Sequence, residues 1–599
     1  MSGRNLHQRK KIAPAPTAIN ADPNHAAHHG AHVDDDFTTS LLSWIMYGLT
    51  FVLLAYLAFR ANLPEYLQYL TPVHYQKHLR GVRPDAVPTF VADEVRRDAV
   101  VEAFKVLPFR HPKRDAMGDD EYHPISQKGT NLSVSGSIGY AVIDSIDTML
   151  IMGLDEEYER AKTWIQENLS FDRDSNFSTF ETTIRVMGGL LSAYHLSMGE
   201  PIFLEKAREL GDRILPVFDT PSGLPFPMVN LHLQEGVLDS ANGDYISTAE
   251  ASTLQLEFRY LAYLTEEDIY WDKVEKVMAV LKSAALPHGL APIFVNPKTG
   301  YYGVSPIRLG SRGDSYYEYL IKQYLQTNQT ESVYLEMYQK AMTGIHEHLL
   351  QRSIPSKLLN IAELIPVTAY DGKTGWRLLS KQDHLVCFLG GSLMLGATTA
   401  GAVVENVSVP PLPRELSALG RRDWFTGIEL IKTCLATHDT RTGLSPEIAY
   451  FRTQSDKPQG HVSKMPSDWY IKGSPPGRPV PLDARYILRP ETMESLFVAF
   501  RLTGDSWYRD RGWAIFQAIE RHCRIPTGGY ASVMNVDRVP VQHEDKMETF
   551  MMGETLKYLY LLFADATVLP LSEYVFNTEA RLHAHPLPIF IPTLPTGFS

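Results

Sequence analysis

The sequence has only three cysteines in 599 residues and none of the short motifs that mark nucleotide or transition-metal chemistry. It contains no P-loop, no HExxH, no CxxC and no convincing glycine-rich dinucleotide turn. The net charge of −12, without a basic stripe, argues against nucleic acid as a partner. The composition, 44% hydrophobic, is that of a large globular chain that can bury a substantial core.

Charged residues are absent from one continuous segment, Leu41–Phe59, which ends at Arg60. At ~1.5 Å per helical residue this segment spans ~28 Å, close to the hydrocarbon thickness of a bilayer. A cleaved signal peptide is the alternative, but its apolar region would be shorter and its N-terminal region is rarely about 40 residues long. We predict an uncleaved transmembrane signal anchor at 41–59, between a disordered cytosolic tail (1–40) and a proline-containing stem (60–92).

Two signals disagree on the orientation of this anchor. Counted near the span, the basic residues Arg60, Lys77 and Arg80 favour a cytosolic C-terminal side. Against them stand five Asn-X-Ser/Thr sequons beyond the span, at Asn131, Asn168, Asn176, Asn328 and Asn406. We predict a single-pass type II membrane protein with a lumenal C-terminal domain.

The three cysteines, Cys387, Cys434 and Cys523, all lie in that predicted lumenal part. They fit a secretory domain with one disulfide and one spare thiol. The residues themselves leave all three pairings open.

Helical periodicity recurs from residue 93 onward, and runs of alternating strand pattern are missing. About fourteen such stretches, among them 249–264 and 384–397, are separated by Pro/Gly loops. This pattern predicts one large all-α domain over residues 93–599, arranged as a helical toroid or barrel. The Pro/Gly-rich segment 453–481 is expected to be disordered or a surface loop near the functional pocket.

Carboxylates recur in four short segments: FETTIR (180–185), GSRGDSYYEY (310–319), RPETMES (489–495) and FNTE (576–579). Each alone has a simple structural explanation. Glu181 and Arg185 are spaced for a helical salt bridge, and acids that follow Pro490 favour the helix dipole. Several acids in mostly apolar surroundings are not explained this way, because a buried unpaired charge is costly. We interpret the set as one carboxylate-lined, aromatic-walled pocket for a sugar, in which two acids share general acid and base work.

These segments, together with IDSIDTMLIMGL (143–154), LQLEFRYLAYLT (254–265), DHLVCFLGG (383–391), TGLSPEI (442–448) and FMMGETLKYLYLLF (550–563), resemble the class I α-1,2-mannosidases, glycoside hydrolase family 47. The resemblance runs from about residue 93 to the C-terminus. It implies an (αα)7 barrel plugged at one end by a small β-hairpin. It also implies inverting hydrolysis of α-1,2-linked mannose from high-mannose N-glycans on glycoproteins, with one bound Ca²⁺.

The resemblance assigns roles to individual residues. Glu181 matches the acid that protonates the leaving oxygen through a water, and Glu491 matches the base that activates water. Asp314 matches the third catalytic carboxylate, and Glu447 a pocket acid sometimes treated as a proton donor. Thr578 matches the direct Ca²⁺ ligand, and Cys387 and Cys434 match the family's disulfide pair. The matched substrate-binding and pocket residues are Arg185, Glu257, Arg312, Glu318, His384, Arg489, Glu494, Phe550, Glu554 and Glu579.

Arg312 decides the expected product. Endoplasmic reticulum relatives have arginine at this point of the motif, whereas Golgi relatives have a smaller apolar residue. We therefore expect an enzyme of the endoplasmic reticulum that converts Man9GlcNAc2 to Man8GlcNAc2 in glycoprotein quality control. The alternatives are a Golgi-type enzyme that trims several mannoses and a non-hydrolytic mannose-binding factor of ER-associated degradation. One departure from the family pattern is Arg581–Ala584, inserted between NTEA and HPLP just after the calcium threonine.

Overall fold

The computed structural model describes residues 90–106, 117–368, 374–454, 468–473 and 478–584. The predicted tail, the predicted anchor and all of the stem before residue 90 lie outside these ranges. Within them, every helix is too short or too polar to cross a bilayer. The five sequon asparagines are all exposed, so their surroundings are compatible with glycosylation.

The described part of the chain contains fourteen α-helices of eight or more residues. They are α1 (Glu94–Lys105), α2 (Tyr140–Met152), α3 (Asp155–Asn168), α4 (Gly188–Leu196), α5 (Pro201–Ile214), α6 (Gln255–Thr265), α7 (Asp268–Ser283), α8 (Asp314–Gln326), α9 (Ser332–His348), α10 (Phe388–Thr398), α11 (Ala418–Thr437), α12 (Glu491–Thr503), α13 (Ser506–His522) and α14 (Leu556–Phe563). Shorter helical pieces are Thr179–Glu181 and Thr248–Ser252, the π-helical turns Thr182–Met187 and Met551–Thr555, and the 3₁₀ turns Leu215–Phe218, Ser240–Asn242, Pro287–Gly289, His384–Cys387, Pro413–Glu415 and Leu482–Ala484.

The helices pack as seven pairs: α2 with α3, α4 with α5, α6 with α7, α8 with α9, α10 with α11, α12 with α13, and α14 with α1. The even-numbered helices also contact one another in chain order, and the turn Met551–Thr555 before α14 contacts α2. Gly553 permits that last contact, because a Cβ there would lie 2.6 Å from the backbone oxygen of Asp144. The even-numbered helices therefore form a closed inner series, and their partners lie outside it.

Sequence explains which helices are inner. Helix α2 reads YAVIDSIDTMLIM and buries residues on all its faces, including Asp144 and Asp147. Its partner α3 reads DEEYERAKTWIQEN and buries only Tyr158, Ala161 and Ile165, which share one face. A helix that is apolar all round needs cover on every side, whereas an amphipathic helix needs it on one.

The strands are short and antiparallel: β1 (Glu121–His123), β2 (Lys128–Thr130), β3 (Asn176–Ser178), β4 (Met228–Asn230), β5 (Glu235–Val237), β6 (Ile246–Ser247), β7 (Phe294–Val295), β8 (Leu350–Arg352), β9 (Leu359–Ile361), β10 (Glu363–Thr368), β11 (Thr374–Leu379), β12 (Lys381–Asp383), β13 (Ile448–Phe451), β14 (Trp469–Tyr470), β15 (Tyr574–Phe576) and β16 (Leu582–Ala584). Seven small sheets result: β1–β2, β3–β4–β5, β6–β7, β8–β9, β10–β11, β12–β13–β14 and β15–β16. The helix-rich prediction is confirmed, but one hairpin was too few, because loops between the helices also pair with one another.

The hairpin β15–β16 is the one that matters most for position. Tyr574 pairs with Ala584 and Phe576 with Leu582. The hairpin contacts the inner helices α4, α6 and α8. Its second strand, Leu582–Ala584, lies in the segment 581–584 that the sequence analysis singled out.

Three details of the sequence prediction need correction. The stretch 249–264 is not one helix: it breaks at Thr253, whose hydroxyl donates to Ser315 Oγ at 2.8 Å. The stretch 384–397 begins as the 3₁₀ turn His384–Cys387 before α10. Segment 453–481 is not loop throughout, because Trp469 and Tyr470 form β14 against β13, while 455–467 and 474–477 lie outside the described residues.

The structure joins Cys387 to Cys434 in a disulfide, the pair that the resemblance implies. Cys387 ends the turn before α10 and Cys434 lies in α11, so the bond links an inner helix to its outer partner. Cys523 is buried and free.

Candidate active site

A cavity of about 330 Å³ lies where the starts of several inner helices meet the C-terminal hairpin. Its wall comes from the first turns of α8 and α12, the turns that lead into α4 and α14, and the loop between β15 and β16. Most of the residues predicted from sequence line it: Glu181, Arg185, Arg312, Asp314, Glu318, Arg489, Glu491, Glu494, Phe550, Glu554, Thr578 and Glu579. The four carboxylate segments therefore form one pocket.

Local geometry explains why these side chains face the cavity. Asp314 is the first residue of α8, and Glu318 follows one turn later on the same face. Glu491 and Glu494 have the same relation at the start of α12. The turn before α8 requires glycine at position 313, because a Cβ there would lie 2.3 Å from the backbone oxygen of Arg308.

Three predicted residues lie behind the cavity wall and reach it through partners. Glu447 accepts from Arg489, with Nε 2.8 Å from Oε1 and Nη2 3.0 Å from Oε2. His384 Nδ1 lies 3.2 Å from Glu491 Oε2. Glu257 is fully buried and accepts from Asn577 Nδ2 at 2.7 Å. Glu447 and His384 thus contact wall residues, Glu257 contacts the neighbour of Thr578, and none of the three lines the cavity itself.

Arg185 contacts several other residues on one side of the cavity. Its Nε donates to Glu181 Oε2 at 2.7 Å, and its Nη2 lies 2.8 Å from Glu579 Oε1. The guanidinium also lies 5.4 Å from the ring centroid of Phe550, a cation–π distance. Although burial disfavours the charge, the surrounding acids hold the pKa of Arg185 well above its usual value. The predicted Glu181–Arg185 salt bridge is present, and it is part of the site.

Lys322 lies behind the wall acids Glu318 and Glu494, and the sequence prediction missed it. Its Nζ contacts Glu318 and lies 3.4 Å from both Glu494 Oε1 and the backbone oxygen of Asn577. Thr578 Oγ1 donates to the other oxygen of Glu318 at 2.9 Å. The signal was available, because Lys322 follows Glu318 by four residues on α8.

The acids of the cavity differ in the direction in which their surroundings shift their pKa values. Burial raises the pKa of Asp314 to about 7 and that of Glu494 to about 8. Burial likewise raises the pKa of Glu579 to about 7, and burial together with the neighbouring Glu579 raises that of Glu554. Glu491 is the exception: burial disfavours its charge, but Arg489 and His384 outweigh it and lower its pKa. Glu491 is therefore the acid whose surroundings favour its charged form, whereas the surroundings of Asp314, Glu494, Glu554 and Glu579 favour the protonated form.

The atoms around Thr578 that could bind a metal ion are oxygen atoms, the ligand type that Ca²⁺ prefers. Oε2 of Glu257 and Oε2 of Glu579 are buried and accept no hydrogen bond within the described part of the chain. An orphaned carboxylate oxygen is costly unless a proton, a water or a cation satisfies it. The residues present thus fit a hard divalent cation held near Thr578.

The sequence profile of Glycosyl hydrolase family 47 matches residues 108–589. This chain belongs to glycosyl hydrolase family 47. The mannosyl-oligosaccharide 1,2-alpha-mannosidase of Candida albicans is 44% identical over 484 residues, which are 79% of this chain and 80% of the relative. The endoplasmic reticulum mannosyl-oligosaccharide 1,2-alpha-mannosidase of Schizosaccharomyces pombe is 40% identical over 507 residues, 84% of this chain and 91% of the relative. The solved alpha-1,2-mannosidase from Trichoderma reesei is 26% identical, with a TM-score of 0.71 over 83% of this chain and 100% of that one.

As a family 47 member, the chain is a glycoside hydrolase, and two further residues that the motifs did not indicate lie at or beside its cavity. Tyr140, the first residue of α2, has its hydroxyl 3.4 Å from Glu181 Oε2. Glu250 also lines the cavity, but it forms a capping box with Ser247 and so has a structural role. Tyr140 stands only three residues before the IDSID block, so a wider reading of that block would have included it.

Proposed function

We propose that this enzyme hydrolyses α-1,2-linked mannose in high-mannose N-glycans and removes a single residue, converting Man9GlcNAc2 to Man8GlcNAc2 with inversion. The observation that carries the chemistry is Glu491, whose pKa is lowered while the pKa of the neighbouring Asp314 is raised to about 7. A carboxylate whose pKa is lowered beside an acid whose pKa is raised suits the role of general base. The names of the relatives supply the mannose linkage.

In the proposed reaction, Glu491 accepts a proton from a water molecule. The water oxygen forms a bond to the anomeric carbon on the face opposite the leaving group, and the glycosidic C–O bond breaks. The electron pair of that bond goes to the leaving oxygen, which receives a proton supplied by Glu181 through a second water. Arg185 and Tyr140 hold Glu181 in place.

The proposed Ca²⁺ would be held by the hydroxyl and backbone carbonyl of Thr578, with waters bonded to the surrounding acids. When bound, the ion would supply Lewis acidity toward hydroxyl oxygens of the terminal mannose. Phe550, between Arg185 and Arg489, offers the ring face on which that sugar stacks. Charge balance supports the ion, because the acids near Thr578 outnumber the cations beside them.

We further propose that the closed series of helix pairs is the (αα)7 barrel, with β15–β16 as its plug. The names of relatives such as that of Schizosaccharomyces pombe favour the endoplasmic reticulum. The predicted signal anchor and lumenal orientation agree with this location, as does a role in glycoprotein quality control. Exposed sequons in the described domain add support.

The test is digestion of Man9GlcNAc2 by the lumenal domain, with and without chelator, followed by mass spectrometry. We expect one product, Man8GlcNAc2, and no product after chelation. Proton NMR of the released sugar should show β-mannose first. Prompt trimming to Man5GlcNAc2 would support the Golgi-type alternative, and glycan binding without any product would support the non-hydrolytic one.

A further inference from the structure

The side chain of Arg312 is fixed on two sides. Its Nη1 donates to Asn242 Oδ1 at 3.0 Å, and its guanidinium carbon lies 5.0 Å from the ring centroid of Phe294. The backbone carries the left-handed conformation with φ +76°, which is unfavourable for a residue with a side chain. Such strain persists only where the surroundings over-determine the conformation.

The backbone of the Arg312 turn is held from several directions. Ser311 N donates to Asp383 Oδ2 at 3.1 Å, and Arg308 Nε donates to the Ser311 carbonyl at 2.8 Å. The Arg312 carbonyl accepts from Ala249 N at 3.0 Å. With the backbone fixed, the only remaining freedom is rotation of the long side chain, and that freedom is what Asn242 and Phe294 remove.

Asn242 is itself held in a defined orientation. It ends the 3₁₀ turn Ser240–Asn242, whose preceding residue Asp239 accepts from Ala241 N at 2.9 Å. Asp239 also accepts from Asn242 Nδ2. Because the amide nitrogen is taken by Asp239, the amide oxygen faces Arg312. The order of contacts is Asp239 to Asn242 to Arg312, and Arg312 lines the cavity.

We propose that Asn242, oriented by Asp239, is a specificity-determining positioning residue of this enzyme. By holding the guanidinium in one place, Asn242 lets Arg312 bind the hydroxyls of one oligosaccharide branch and block the others. Released from Asn242, the side chain samples several rotamers, and the cavity mouth admits branches that the wild type rejects. The inference rests on the proposed one-mannose function and names the device that enforces it.

The experiment measures the ratio of the cleavage rates of the second and the first mannose of Man9GlcNAc2, with the Man8 isomers resolved by NMR. Asn242→Ala should raise this ratio about tenfold, the effect of one hydrogen bond to a charged group. The first cleavage should keep its kcat while KM rises, and the melting temperature should stay within error. Ser240→Ala, an exposed side chain of the same turn, is the matched control and should change nothing.

Arg312→Leu tests whether Asn242 acts through Arg312. This variant should trim beyond Man8GlcNAc2, and adding Asn242→Ala to it should have no further effect. If the wild type stops at Man8GlcNAc2 and Asn242→Ala leaves the ratio unchanged, the proposed role of Asn242 is wrong and the one-mannose function stands. An additive effect in the Arg312→Leu background also overturns the role of Asn242. A wild type that trims several mannoses at similar rates overturns the one-mannose function, and the role of Asn242 with it.

Discussion

Two buried groups of charges lie close together in this enzyme and behave in opposite ways. The first is the cavity cluster: Asp314, Glu318, Glu491, Glu494, Glu554, Glu579, Arg185, Lys322 and Arg489. The second is the ion-pair cluster: Asp144, Asp147, Lys557 and Arg581, all fully buried. In the ion-pair cluster Arg581 contacts both aspartates and Lys557 Nζ lies 2.7 Å from Asp147 Oδ2, so two acids match two cations.

The acids of the two clusters differ in the direction of their pKa shifts. Burial disfavours the charge on Asp147, but Arg581 and Lys557 outweigh it and lower its pKa. Burial of Asp314 and Glu494 meets no such balance, and their pKa values rise to about 7 and about 8. Burial is thus outweighed at Asp147, where the charged form is favoured, and not at Asp314 or Glu494, and the supply of cations decides which.

The largest expected effect is on catalysis at Glu491, the acid of the cavity cluster whose pKa is lowered. Glu491→Gln keeps the shape but loses the proton acceptor, so turnover should fall roughly 10²–10⁴-fold. Mannose release and glycan binding are both measured, and binding should persist. Glu102→Gln, on the exposed side of α1, serves as the matched control. A Glu491→Gln variant with normal turnover would remove Glu491 from the base role.

The next effect tests the ion-pair cluster through stability. Arg581→Met leaves Asp144 with only Arg185, whose Nη1 lies 3.5 Å from its Oδ2, and breaking a buried pair in this way costs about 3–5 kcal/mol. The midpoint of urea unfolding should fall accordingly. Adding Asp144→Asn should restore part of the loss, because Asp147 keeps Lys557. Glu494→Gln in the cavity cluster should cost little, because that acid already retains a proton; a loss as large as that of Arg581→Met would contradict the comparison.

A smaller effect is expected when the stabilisation by added Ca²⁺ is measured at two pH values and compared. Asp314 and Glu494 have folded-state pKa values of about 7 and about 8, above the unfolded value of ~4. Their raised pKa values therefore lower stability by an amount that is complete above the folded pKa and disappears as pH falls toward the unfolded value. A bound cation relieves the same cost, so the rise in melting temperature on adding Ca²⁺ should be larger at pH 7.5 than at pH 5.5. Buried histidines affect both arms equally and cancel; an equal rise at both pH values would count against a cation beside these acids.

The smallest effect concerns how Glu181 is held. Tyr140→Phe removes one hydroxyl that reaches Glu181 Oε2 at 3.4 Å. Arg185 still holds that carboxylate, so kcat should fall only about twofold to tenfold. Tyr301→Phe, an exposed tyrosine far along the chain, is the control. If kcat is unchanged in Tyr140→Phe, Arg185 alone orients the acid.

The two clusters also show which contacts can be predicted from the sequence and which cannot. Pairs within one helix, such as Asp314 with Glu318 or Glu181 with Arg185, follow from helical spacing and were predicted together. The ion-pair cluster was not predicted, because Arg581 meets Asp144 across 437 residues and no local pattern records that contact. The break of the helical stretch at Thr253 was missed for the same reason, since the hydroxyl of Thr253 donates a hydrogen bond to Ser315 on another helix.

The segment Arg581–Ala584 shows the limit of family likeness. Its position just after Thr578 was visible in the sequence, but its role was not. In the structure Arg581 completes the ion-pair cluster, and Leu582–Ala584 forms the second strand of the hairpin. Asn242 was missed as well, since it lies in a polar turn with no resemblance to any of the quoted motifs.

Closure of the inner helices has a consequence for how the enzyme is made. The first inner helix is completed only by the last: Thr148 Oγ1 donates to the backbone oxygen of Met552 across 404 residues, and Lys557 reaches Asp147 across 410. A chain still emerging from the ribosome therefore lacks both the seal of the ring and the hairpin that carries Thr578. Contacts so distant in sequence form slowly. Activity should consequently appear only after synthesis of the whole domain, and nascent or C-terminally truncated chains should expose the apolar faces of α2 to chaperones.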